Sequence, residues 1–194
     1  MKTKTLVLLS ILLVVSVLCF PACTGTVSNP SRKILVSHSY HESWDWNSDI
    51  EAGIIEGLNQ QGYQQDTDYE METFYMDTKV TYTTVEQIEE RADLALNLID
   101  ESAPDIVFVN DDNALKYVAV EYAATNPESD LPFVFCGINV DPTIYDTIQS
   151  LEHPGGVMTG TLERLPFEKA FELVESYGDP IFMPQMRLGA RYLL

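Results

Sequence analysis

Basic residues are scarce in this chain: 11 lysines and arginines stand against 30 aspartates and glutamates, for a net charge of −19. Nucleic acid selects basic surfaces, so this balance argues against a nucleic-acid partner. It argues equally against electrostatic docking on anionic lipid. A solvated acidic surface is the plain reading of the charge, and a field that draws in a cationic ligand is the sharper one. Phosphate-cradling motifs are also missing. The turn after the first strand-like run reads HSYHESW, with neither GxGxxG nor a P-loop pattern, so nucleotide binding is not expected. There is no GxSxG elbow for a serine nucleophile. Internal repeats and low-complexity tracts are absent too.

Cysteine is nearly absent, with Cys19, Cys23 and Cys136 only. The first two fall in a segment with the proportions of an export signal: Lys2 and Lys4, then an apolar run from Leu6 to Phe20, then Ala22–Cys23. The run is short for a bilayer span, which takes about 20 residues. FPACTG resembles a bacterial lipoprotein signal, in which the cysteine becomes the lipidated first residue, here Cys23. Cys136 is then left without a disulfide partner, against the habit of exported proteins. Set within LPFVFCGI, it reads as a small core residue, with no basic neighbour in sequence to make its thiol reactive.

What is present is an alternation of extended and helical patterns. TGTVSNPS (24–31) reads as a short tether. Strands are expected at Lys33–Ser37, Tyr69–Met76, Asp105–Asn110, Leu131–Ile138 and Val157–Leu162. Between them lie helical stretches. One starts at Ser48 with Glu51 completing a capping box, carries Ile50, Ile54, Gly57 and Leu58 on one side, and ends at Gly62. The next is opened by Thr84 and Gln87, with a stripe of Val85, Ile88, Ala92, Ala95, Leu96 and Ile99. The third runs from Ala114 to Ala124, and a short one from the cap Asp141–Pro142 to about Gln149. A last helix is expected from Pro166 to Tyr177. Strands each followed by a helix imply an α/β fold with a doubly wound, parallel five-stranded sheet.

Ligands of such sheets bind beyond the carboxyl ends of the strands. That rim would comprise Ser39–Asn47, Asp77–Thr81, Asp111–Asn113, Asn139–Asp141 and Thr161–Arg164. Its richest part is VSHSYHESWDWNSDIEAGI (36–54), with two histidines and two tryptophans at one turn. Trp44 and Trp46 lie among polar residues without a core stripe, which suits stacking on a small ligand or packing on a partner lobe. His38 and His41 resemble a zinc pair only weakly, because their spacing across a strand end is not the helical HExxH arrangement; the simpler reading sets His38 into the sheet and His41 on a loop hydrogen bond. Asp111, Asp112 and Asn113 suit capping of the third helix, and the free N–H groups of that helix also suit a ligand. No nucleophile or metal set accompanies the two carboxylates, so no enzyme, metal or cofactor is expected.

Four pieces in order, EGLNQQGY, PDIVFVN, LPFVFCGIN and PGGVMTG, resemble the ABC transporter substrate-binding protein family of periplasmic-binding-protein type I fold, over residues 33 to 178. The SYHxxxxW turn is similar also to extracytoplasmic ligand-sensing domains built on that fold. The resemblance implies strand order 2-1-3-4-5 and a lipid-anchored clamp on the outer face of the cytoplasmic membrane. Such a clamp captures a small solute between two lobes and hands it to an ABC permease; a ligand-sensing module of a signalling system is the alternative. The aromatic turn would be one lobe's half of the cleft, with Tyr40, Trp44 and Trp46 as its apolar surface and Asp111, Asn113 and Asn139 fixing orientation. The expected division is a signal peptide at 1–22, a tether at 23–32, a first lobe at 33–162, and a crossover with the start of an incomplete second lobe at 163–194. A lone first lobe is expected to bind weakly, since it offers half the contacts of a closed clamp.

Mass spectrometry of the mature N-terminus should find Cys23 first and carrying lipid. A mature chain that starts elsewhere and stays soluble would remove the lipoprotein expectation.

Overall fold

The computed structural model describes residues 32–163 together with Lys169 and Leu173. The signal, the tether up to residue 31, Arg164 and the helix expected from Pro166 onward lie outside a continuous description, and Arg32, expected in the tether, opens the first strand. Five strands form one sheet: β1 (Arg32–His38), β2 (Tyr69–Tyr75), β3 (Ile106–Asn110), β4 (Phe133–Ile138) and β5 (Met158–Leu162). Their order is β2-β1-β3-β4-β5, and every pairing is parallel. This is the doubly wound α/β sheet expected from the sequence. The expected strands are all present, each within two residues of its anticipated ends.

Burial explains the near-continuous apolar strands. Residues 34–39 are all buried, as a strand covered on both faces requires. On one face Leu35, Val107, Val109, Phe133 and Phe135 join the main core with Ala92, Ala95 and Ile99 of helix α2 (Val85–Ser102). Leu115, Val118 and Ala119 of the helical run 112–125, here α3, complete it. On the other face Ile34, Val36 and Tyr69 pack with Ile54 and Leu58 of helix α1 (Asp45–Gln60). The α1 stripe is thinner than its sequence suggests: Gly57 is exposed, and Asn47 is the helix's buried residue. At the first turn of α2, Val85 is likewise exposed.

Helix starts divide into confirmed and corrected cases. Thr84 and Gln87 form the expected reciprocal capping box on α2. Asp141 caps through Thr143 as expected, but the helix it opens is a single 3-10 turn, Pro142–Ile144, rather than a helix to Gln149. Helix α1 begins at Asp45, a turn before Ser48, and its N-cap Trp44 gives no side-chain hydrogen bond. The turn is made by backbone instead, Trp44 N–H donating to His41 O at 3.1 Å. Within α3, residues Leu115–Val120 are wound as π-helix, a local widening often found next to functional sites.

The β4–β5 pairing carries an irregularity between Phe135 and Ile138, where Gly137 takes φ +65°. A Cβ added at Gly160 on β5 would run into the Phe135 backbone carbonyl and ring on β4. Gly160→Ala is therefore expected to push the edge strand outward and destabilise the fold by about 1–3 kcal/mol, the scale of an overpacked site. Urea unfolding checks this, and an unchanged midpoint would show that β5 yields freely.

Candidate functional site

The carboxyl ends of the strands carry a row of polar side chains that the sheet register fixes. His38 pairs with Tyr75 on β2 and with Asn110 on β3, and Asn110 pairs with Cys136 on β4. The Cys136 thiol donates to Asn110 Oδ1 at 2.6 Å, and Asn110 Nδ2 meets His38 Nδ1 at 3.0 Å. His38 Nε2 lies 3.0 Å from Glu51 Oε1, which also accepts from the Tyr75 hydroxyl at 2.9 Å. Since the amide Nδ2 can only donate, His38 Nδ1 accepts and its proton sits on Nε2, facing the carboxylate. The His38 and Tyr75 rings are stacked, 5.4 Å apart. Burial lowers the His38 pKa against the opposing pull of Glu51. Burial also pushes the Cys136 thiol up to about 11. Tyr75 is pushed to about 12 by burial and then by Glu51.

Above this row the rim loops are tied together. Ser39 Oγ donates to Asn110 O at 3.0 Å and accepts the Ala114 N–H at 2.9 Å. The cap of α3 is thus supplied from the β1 loop, in place of the expected Asp111–Asn113 side chains, and Asp111 makes no side-chain cap. Thr78 donates to Ser39 O through both its N–H and its hydroxyl. Asn113 Nδ2 donates to Thr78 Oγ1 at 3.0 Å. Asp112 Oδ1 accepts the N–H groups of Asn139 and Val140, at 3.1 and 3.3 Å. Arg91 of α2 holds the carbonyls of Tyr75 and Met76 and lies over the Phe74 and Tyr82 rings.

Of the six expected ligand-facing residues, Tyr40, Trp44, Trp46 and Asp111 form one cluster. Tyr40 stacks on Trp44 with ring centroids 5.2 Å apart and planes within 7°, and it meets Trp46 edge-on at 6.0 Å. Trp44 is 44 % exposed. Trp46 is half-buried, its ring closed over Gly137, where an added Cβ would strike it. Asn113 and Asn139 sit on the same rim but spend their amides on neighbours, Asn113 on Thr78 and Asn139 on the Gly137 carbonyl at 3.4 Å.

Asp111 is the strained member. Its φ of 74° and ψ of 165° fall in a region that belongs to glycine. It is 4 % exposed, and its Oδ1 is held by an ion pair. Its only charge partner among the described residues is Lys79, whose Nζ lies 2.6 Å from that oxygen and 5.7 Å over the Tyr40 ring. Sequence reading missed Lys79, a single loop lysine with no local pattern to mark it, as well as Ser39 as the hub of the rim. Tyr40 is raised by burial and by the charges of Asp111, Glu163 and Asp112, with Lys79 opposing.

The zinc alternative does not fit this geometry. Both His38 ring nitrogens are engaged by Glu51 and Asn110. Among the described residues no group of three or more His, Cys, Asp or Glu is placed to hold a metal ion. No helix of the described residues is long and apolar enough to cross a membrane.

A pH dependence follows from His38. Unfolded histidine takes its proton near 6.5 and buried His38 does so at lower pH. The unfolded state therefore binds the extra proton first, and stability present above that value is lost as pH falls through it. Denaturant unfolding between about pH 7 and pH 5 should show stability falling with acid, with a shallower fall in His38→Gln. Equal slopes would show that His38 does not set this response.

No family model matches the sequence, and no curated protein matches it. Solved structures do. One is a conserved domain protein from Vibrio cholerae, with TM-score 0.55 and 19 % identity over 74 % of this chain and 43 % of that one. Another is described as an ABC domain in complex with L-Trp from Streptococcus pneumonia, with TM-score 0.55 and 22 % identity over 76 % of this chain and 43 % of that one. This chain spans less than half the length of either. Both likenesses are of fold, and they agree with the doubly wound, parallel α/β sheet described above.

Proposed function

We propose that this chain supplies one lobe of an extracytoplasmic solute-binding lipoprotein, anchored through Cys23, that captures a small molecule in a cleft for an ABC permease. The observation that carries the reading is exposed Trp44 stacked on half-buried Tyr40 beside a buried, strained Asp111 at the carboxyl rim of a parallel sheet. A large aromatic surface left open next to a charged group suits a ligand with a flat apolar part and a polar end. The binding of L-Trp by one protein of similar fold is in keeping with such a ligand.

The role is binding rather than catalysis. Half-buried Cys136 is kept protonated by its desolvation and donates to Asn110, and His38 has no free nitrogen to offer a substrate. Trp46, wedged on Gly137, forms the fixed wall of the site, while Trp44 is the open face.

Titration with a panel of amino acids, purines and small organic anions, followed by NMR, should shift the resonances of Tyr40, Trp44 and Asp111 for one class. Trp44→Ala should weaken that binding by about 1–3 kcal/mol, the scale of a lost aromatic contact. Shifts confined to other surfaces, or an unchanged affinity in Trp44→Ala, would refute this site.

A further inference from the structure

The ion pair at the rim has an unusual setting. Lys79 comes from the loop after β2, is half-buried, and lays its ammonium between the Asp111 carboxylate and the Tyr40 ring face. A carboxylate beside an aromatic face is the chemistry that recognises an organic ammonium group. Asp111 Oδ1 is buried and its charge partner among the described residues is the Lys79 ammonium, so a second ammonium could take the same place.

The surrounding charge chooses the sign of that donor. Among the described residues Tyr40 feels Asp111, Glu163 and Asp112, with Lys79 as the opposing cation. An anionic ligand would bring another negative charge among three carboxylates, whereas a cationic one would relieve them. Asp112 is already held by the Asn139 and Val140 N–H groups, and of the other two carboxylates Asp111 is the one paired with the ammonium that lies over the Tyr40 ring.

Resting on the solute-binding reading, we propose that Asp111 and the Tyr40 face form a seat for the ammonium group of an amine-bearing ligand, and that Lys79 fills this seat while the ligand is absent. Binding exchanges one ammonium for another, so no buried charge is left unpaired at any stage. The lysine lowers the affinity for amines by competing for the seat, and it protects a strained carboxylate when the seat is empty. The ligand class is a primary amine attached to a flat apolar group, which would lie against the Tyr40–Trp44 stack.

Two experiments on the full chain test this separately. In the first, Lys79→Ala should lower the melting temperature. Propylammonium chloride, which replaces the lost side-chain end, should restore part of it where sodium chloride of equal ionic strength does not. The double variant Lys79→Ala/Asp111→Asn should show no such rescue. Should Lys79→Ala fail to fold, propylammonium in the refolding buffer is expected to yield folded protein that sodium chloride does not. Equal effects of the two salts overturn the seat.

In the second, tryptamine and indole-3-propionate are titrated onto the wild type and Lys79→Ala. Tryptamine should bind the variant about fivefold or more tightly than the wild type, the scale of one charge-assisted contact released from competition. If indole-3-propionate is the better wild-type ligand and Lys79→Ala abolishes it, Lys79 is an anion receptor and the inference fails, while the solute-binding reading stands. If neither compound binds yet propylammonium rescue is present, the seat stands and the solute-binding reading fails.

Discussion

The polar row across the ends of β2, β1, β3 and β4 is the constraint on which the rest of this fold depends. Burying His38, Asn110 and their neighbours is tolerable only if each finds a partner, because an unmade buried hydrogen bond costs about 1–3 kcal/mol. Register places them side by side, and Glu51 reaches from α1 to close the chain of bonds between Tyr75 and His38. The bonds have a direction. Cys136 donates to the Asn110 oxygen, the Asn110 nitrogen donates to His38, and His38 then donates to Glu51. Turning any one group over would place donor against donor or acceptor against acceptor somewhere along the row, so the network defines a single arrangement of four strand ends and a helix.

The rim inherits that arrangement within one or two residues. Ser39 follows His38, Asp111 follows Asn110, and Gly137 follows Cys136. Asp111 can therefore be held in a conformation that costs about 1–3 kcal/mol for a residue other than glycine. Its N–H donates to Cys136 O at 3.0 Å, its carbonyl accepts from Leu115 at 3.1 Å, and Ser39 pins the residues on either side. Backbone bonds on both sides fix the turn, and the ordered row below keeps those partners in place. The strain is carried by the scaffold and appears at the residue that pairs with Lys79.

Most of the sheet was legible in the sequence because buried strands leave a contiguous signal: KILVS, DIVFVN and LPFVFCGI are apolar runs whatever packs on them. Local caps were legible for the same reason, and Thr84–Gln87 and Asp141 act as their spacing indicates. Ser48 and Glu51 show where local reading stops. They have the spacing of a capping box, yet Glu51 is drawn to His38 and Tyr75, and the helix begins a turn earlier on a backbone bond. A long-range demand for a partner outweighed a short-range cap. Lys79 was illegible for a related reason: its role arises only when the β2 loop is laid beside Tyr40 and Asp111, and nothing in DTKVT marks it. The aromatic turn could be seen, but the division of labour between its two tryptophans could not, since it depends on Gly137 lying beneath one of them.

That division explains how an exposed aromatic surface stays ordered. A lone tryptophan on a loop would lose rotamer freedom on binding, and this cost would be charged against affinity. Here Trp46 is locked by shape onto Gly137, Tyr40 rests edge-on against Trp46, and Trp44 lies flat on Tyr40. His41 adds a tilted contact to Trp44 at 5.9 Å. Each ring is oriented by the one before it, starting from a backbone irregularity in β4, so Trp44 is presented in a fixed pose despite being the most exposed of the three. Tyr40 is the shared element of this stack and of the Lys79–Asp111 pair. The apolar and charged halves of the site are therefore positioned by one side chain, and a shift of Tyr40 would disturb both together.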